Sequence, residues 1–166
     1  PLAPAERRAA YIFPSFKDGI EACRATLRAG ATPAVLRLYD GPESARGRGG
    51  DGSNCALLVL DEGDARLVDA TMDIVAGACV SAGGEPGDIE LVEAWMQHRN
   101  DTSALQGLTR KGFVVDTMEI AAPWSKLTDI FDAVRNAIGE IHHARAATCH
   151  LSHSYADGAC LYFTFA

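Results

Sequence analysis

The sequence predicts an α+β fold with a largely antiparallel sheet, ferredoxin-like, single or duplicated, with helices on one face. Three observations predict it. Segments rich in β-branched and aromatic residues alternate with segments of helical hydrophobic period. Two joins, a glycine-rich stretch over residues 41–54 and a turn over 156–158, link one strand-like segment directly to the next. Several strand-like segments place apolar and polar residues alternately, as in a sheet covered on one face. The uncovered face would then be available to a ligand or a partner domain.

The elements follow in order. Residues 10–13, "AYIF", are strand-forming and lead to Ser15, with Asp18 three positions on in a capping-box pattern that opens a helix. Phe16, Ile20, Cys23 and Leu27 share one face of that helix, and Gly30 with Pro33 ends it. In "AVLRLY" (34–39), Leu36 and Leu38 alternate with Arg37 and Tyr39, so Arg37 and Tyr39 are expected to meet solvent or a polar ligand. Residues 41–54 read as a glycine-rich surface loop, and "CALLVL" (55–60) as a fully buried strand. Asp64 is a good N-cap for a helix whose stripe is Val68, Met72, Val75 and Cys79, stopped at Gly83. A further helix is predicted from Asp88, with Ile89, Val92, Met96 and then Arg99 on one stripe. "FVVDTMEI" (113–120) reads as a strand. Pro123 precedes the clearest helix, whose core face is Leu127, Ile130, Phe131, Val134, Ile138 and Ile141. Two strands close the sequence, "TCHLSHSY" and "CLYFTF", joined by a turn built on Asp157 and Gly158.

The chain has 166 residues, 48% hydrophobic and 22% charged, with a formal net charge of -7, which fits one acidic globular domain. A general nucleic-acid or anionic-membrane binder would need clustered Lys and Arg, so neither partner is expected. With no apolar run long enough to span a bilayer, a cytoplasmic location is expected. The chain opens on Pro1 and closes on an apolar, strand-like run, so a piece of a longer polypeptide is expected. Five cysteines, Cys23, Cys55, Cys79, Cys149 and Cys160, form no CxxC pair and read as small buried apolar residues.

Four features invite a functional reading. "GRGGDG" (47–52) has GxGxxG spacing, but it leads into a strand where a dinucleotide site requires a helix N-terminus, so the match is discounted. His142, His143, His150 and His153, with Cys149, concentrate potential metal ligands. His150 and His153 lie three apart on a strand, hence on opposite faces, and His142 and His143 suit a helix C-terminus, so no metal site is assigned. Arg99, next to Trp95 on its turn, either pairs with an acid, binds an anionic ligand, or runs along the surface to water. Tyr162 lies on the less apolar face of its strand, with Cys160 and Thr164. A phenol there is either a plain sheet residue or an acid–base group tuned by a cofactor or a neighbouring charge.

Three stretches together resemble the C-terminal cap domain of FAD-linked oxidases of the vanillyl-alcohol oxidase superfamily, nearest to the alkyldihydroxyacetonephosphate synthase branch. They are "AVLRLYDGPES", "AWMQHRNDTSALQGLTRKGFVVDTMEIAAPWSKLTDIFDAV" and "TCHLSHSYADGACLYFTFA", and their order covers nearly the whole chain. The resemblance implies that residues 1–166 are a cap lying over a flavin bound by a separate FAD-binding domain. That domain and a downstream His-rich loop are outside this sequence, and the chain alone is expected to be inactive. It implies a catalytic role for Tyr162, inside "GACLYF", and substrate binding by Arg99, with Arg110 as a substitute. Where related hydroxyacid dehydrogenases carry a metal-binding "GHxGDGNxH", this chain has "SHSYADGACLY", in which His153 matches the first histidine and the second has no counterpart. The substrate implied is an acyl-dihydroxyacetone phosphate, whose fatty acid is exchanged for a fatty alcohol, or alternatively a hydroxyacid or alcohol oxidised by the flavin. A ferredoxin-like ligand-binding or dimerising module, with a homodimer as partner, is the alternative from another class.

Overall fold

The structure is a computed structural model that describes residues 3–48, 51–101 and 103–166. Its strands are β1 (Ala5–Phe13), β2 (Val35–Tyr39), β3 (Cys55–Gly63), β4 (Glu85–Pro86), β5 (Asp116–Pro123), β6 (Ala147–Ser154) and β7 (Gly158–Phe165). The helices are α1 (Phe16–Arg28), α2 (Gly41–Arg48), α3 (Ala65–Ser81), α4 (Glu90–His98), α5 (Ser103–Arg110) and α6 (Trp124–Gly139). All seven strands form one antiparallel sheet in the order β4-β1-β3-β2-β6-β7-β5. The α+β expectation holds, and the order carries the ferredoxin-like pattern once whole and once in part. Apart from α2, inserted between β2 and β3, the first half runs βαββαβ with strands ordered fourth, first, third, second; the β5-α6-β6-β7 segment repeats its βαββ part. The two units meet where β2 pairs with β6.

Local sequence explains most of these elements. Ser15 caps α1: its Oγ accepts from the Asp18 amide at 3.2 Å and donates to Asp18 Oδ2 at 2.6 Å. Asp64 accepts from the Arg66 amide at 3.0 Å and opens α3. Gly30 and Gly83 take positive φ just past α1 and α3, the conformation that only glycine adopts freely. Phe13, Leu38, Leu57, Val59, Val75, Leu127, Leu151, Leu161 and Phe163 are fully buried in one cluster between the sheet and α1, α3 and α6. Four of the five cysteines are buried and none is paired, as composition suggested.

Several expectations are corrected. The helices are not confined to one face. A smaller apolar cluster of Ala10, Tyr39, Leu58 and Val92, with Leu91 and Trp95, lies on the opposite side of the sheet and is made by α4. Tyr39 therefore packs instead of meeting solvent. The buried face of α4 runs through Leu91, Val92 and Trp95, while Ile89 and Met96 of the expected stripe are exposed; aromatic area outweighs the periodic count. Residues 41–48 are helix α2, not loop, because Asp40 caps it and Glu43 stands three residues on. Gly49 and Gly50 of the discounted glycine motif lie outside the described residues. The strand expected over 113–120 starts at Asp116 instead: Phe113 donates its amide to Leu108 O at 3.2 Å, completing the end of α5. Ile141 lies past the end of α6 and is exposed.

The final turn also differs. Its loop is three residues, Tyr155 to Asp157, closed by the Tyr155 amide on Gly158 O at 2.8 Å, and Gly158 has no positive φ. Glycine is needed there for space: a Cβ at Gly158 would collide with Ala122 O on β5.

Candidate functional site

The site lies on the α4 side of the sheet, at the seam between the two units. Alternation sends Arg37 and Tyr39 of β2 to this side, and the register places His150 opposite both Tyr39 and Tyr162. Pairing between β2 and β6 covers only Leu38 with Leu151 and Tyr39 with His150. Beyond it a bulge interrupts β6 between Leu151 and His153, and bulges end pairing and re-aim side chains. His153 consequently falls opposite Cys160, on the same face as His150 and Tyr162, where a regular strand would have put it on the other side.

Where the strands separate, a cleft of about 360 Å³ opens between β2, the end of β6 and α4, with Arg37, Trp95, Arg99, Ser152 and His153 in its lining. Arg99 follows the last turn of α4 and holds its guanidinium 5.4 Å from the centre of the Trp95 ring. Arg37 stands 5.9 Å from the same ring and 5.7 Å from that of Tyr39. Trp95 thus steers two guanidinium groups toward one cleft. Among the described residues neither arginine has a carboxylate partner, so both keep uncompensated charge for an anion. Arg110 ends α5, is exposed, and does not line this cleft.

Tyr162 is next to the cleft, one ring beyond it. Its ring stacks on His150 with centroids 4.9 Å apart and planes 16° from parallel. His150 Nε2 lies 2.6 Å from Arg37 Nη2, and its Nδ1 lies 3.0 Å from Glu43 Oε1. A guanidinium can only donate, so Nε2 is the acceptor and Nδ1–H donates to Glu43. Among the described residues, Arg37 Nε and Glu43 Oε2 are buried without a hydrogen-bond partner, which leaves each group with capacity to spare.

Asp40 holds this arrangement in place. It is 1% exposed; Oδ1 accepts from the Glu43 amide at 2.9 Å, and Oδ2 from the Cys149 amide at 2.9 Å and Arg135 Nη1 at 3.0 Å. One carboxylate therefore ties α2 and its Glu43 to β6 and α6. Burial pushes its pKa from 3.8 up to about 6, against the lowering effect of the two amides and of Arg135. A folded-state value above the unfolded one means the native state holds the proton more tightly. The resulting stability is fully present below about pH 4 and is lost as pH rises through 6, by about 3 kcal/mol for a shift of roughly two units. Asp40→Asn should remove that dependence: from pH 4 to pH 7 the wild-type melting temperature should fall by several degrees relative to the variant. Parallel curves would show that Asp40 does not titrate in this range.

On β7, Cys160, Tyr162 and Thr164 are half-buried, while Thr117, Glu119 and Ala121 on the adjoining edge strand are exposed. Ser152 Oγ donates to Glu119 Oε1 at 2.8 Å across this surface. At its Thr164 end an apolar cavity of about 380 Å³ is lined by Leu108, Phe113, Val115, Thr164 and Phe165, with Arg46 and Arg145.

The sequence matches the family described as FAD linked oxidases, C-terminal domain, over residues 2–166. The chain belongs to that family. It is 29% identical to an uncharacterized FAD-linked oxidoreductase, YgcU, of Escherichia coli, over 93% of this chain and 34% of that protein. To the alkyldihydroxyacetonephosphate synthase of Trypanosoma brucei brucei it is 22% identical, over 99% of this chain and 32% of the synthase. Two solved structures of alkyldihydroxyacetonephosphate synthase superpose with TM-scores of 0.82 and 0.85 at 19% identity, covering 99% of this chain and 36% of theirs. The likeness in structure is one of fold. The family domain thus spans about a third of the relatives it matches. Membership implies FAD, and the half-buried strip of Cys160, Tyr162 and Thr164, beside exposed residues of the edge strand, leaves this face accessible to such a group. No helix among the described residues is long and apolar enough to cross a membrane.

In the sequence Tyr162 and Arg99 are separate candidates. The fold brings both to one side of the sheet and links them through Trp95, Arg37 and His150. What it missed was Glu43 and the pairing of His150. The Asp40–Glu43 spacing, a capping pattern, was the available signal for the first; nothing local signals the second.

Proposed function

We propose that the chain is the substrate-binding cap of an FAD-dependent enzyme, set over a flavin held by a separate domain, and that Tyr162 is its acid–base residue. The observation that carries the reading is the open strand face where Tyr162, stacked on His150, adjoins a cleft containing two arginines without carboxylate partners. When bound, FAD supplies the electron-accepting ring system. In this reading Tyr162 moves a substrate proton at its phenolic oxygen, Arg99 holds the phosphate or carboxylate, and the cap excludes water. The chain alone is inactive.

The substrate favoured is an acyl-dihydroxyacetone phosphate undergoing alkyl exchange. The apolar cavity at Thr164, two residues along β7 from Tyr162, gives room for an alkyl chain, and the cleft gives charge for a phosphate. The second reading is oxidation of a hydroxyacid or alcohol, favoured by the higher identity to the E. coli oxidoreductase. The test is to offer the full-length protein both substrates. Alkyl exchange without net flavin reduction is expected; bleaching of the flavin by a hydroxyacid would select the second reading, and activity with neither would remove both.

A further inference from the structure

We propose that His150 is a positioning residue for Tyr162, its imidazole a fixed platform whose plane is set by Arg37 at one nitrogen and Glu43 at the other. The inference rests on the reading of Tyr162 as the acid–base group. His150 is buried, its side chain 7% exposed, and in-plane hydrogen bonds of 2.6 and 3.0 Å on opposite sides of the ring remove its rotational freedom. Tyr162 has a covering ring on one side only. On the other side its cross-strand neighbour on β5 is the exposed Glu119, held by Ser152 Oγ and offering no ring face, so among the described residues the stack at 4.9 Å is the aromatic contact that sets the plane of the phenol. The anchors come from separate elements: Arg37 from β2, and Glu43 from a helix tied to the sheet by Asp40. Their convergence makes the angle of the phenol a property of the seam between the two units. In this geometry the one free lone pair of His150 is engaged by Arg37 and its ring face by Tyr162, so the ring is read as a platform. Both nitrogens are committed.

The first measurement is independent of turnover. In the full-length protein with ¹⁵N-labelled histidine, His150 should show the Nδ1–H tautomer with Nε2 as acceptor, and should keep it in Tyr162→Phe. An Nε2–H tautomer or an imidazolium would overturn the proposal. Kinetics supply the second. His150→Leu should lower kcat by about tenfold with KM within about twofold, the scale expected when a reacting group loses its alignment. His150→Phe, which keeps a flat ring but makes neither hydrogen bond, should recover only part of the rate and remain below Glu43→Leu. Glu43→Leu, which removes one anchor and leaves the ring, should lower kcat in the same sense at constant KM, and it carries the test if His150→Leu does not fold. Unchanged kcat in these variants, or equal losses in the Leu and Phe variants of His150, overturns the positioning role when Tyr162→Phe is itself impaired. Near-normal turnover in Tyr162→Phe removes the acid–base reading first, and the platform role with it.

Discussion

Tyr162→Phe is expected to lower turnover of the full-length flavoprotein by about two orders of magnitude, the usual contribution of a positioned acid–base group. The substitution is a clean one in this fold. It removes a single hydroxyl from a side chain that is only half-buried, so no buried donor or acceptor is left without a partner. The phenyl ring can keep its place against His150, since the stack uses the ring faces and not the oxygen. Melting temperature and flavin absorbance should accordingly stay close to wild type, and KM should change little, because the proposed anion-binding arginines lie in the neighbouring cleft. A fall in kcat with these three unchanged assigns the loss to chemistry. Near-normal turnover with intact flavin would sink the acid–base role and leave Tyr162 as an ordinary residue of a sheet face.

What the sequence made legible, and what it hid, divides by the range of the interaction. Caps and periodicity are local, so the starts of α1 and α3 and the core faces of α1 and α6 follow from a few neighbouring residues. The face of Tyr162 follows from alternation alone, which the regular register of β7 preserves. Helix α2 was hidden because glycine content outweighed the Asp40 cap, although burial of that cap against β6 and α6 is what makes the helix worth forming. A strict period of two puts His150 and His153 on opposite faces, and the bulge between Leu151 and His153 brings them to the same one. The contacts of His150 with Arg37 and Glu43 span 113 and 107 positions. They depend on the β2–β6 seam, and no window of sequence contains both sides of it.

Arg99→Ala is the second large effect expected, and here the split between binding and stability decides. Arg99 is exposed, and among the described residues its guanidinium rests on the Trp95 ring at 5.4 Å. An exposed cation–π contact contributes about 0.5–1 kcal/mol, so the melting temperature should fall by no more than about 2–4 °C. If the guanidinium holds a substrate phosphate or carboxylate, its loss should raise KM by about tenfold or more, the range for a charge-assisted hydrogen bond, with kcat changed much less. Arg99→Lys should fall between, since it keeps the charge and loses the planar fork. Arg37 gives the reaction a second cation in the same cleft, so the Ala variant should keep residual binding that weakens further as salt is added. An unchanged KM would show that Arg99 merely lies over Trp95, leaving Arg37 as the cleft's anion-binding group.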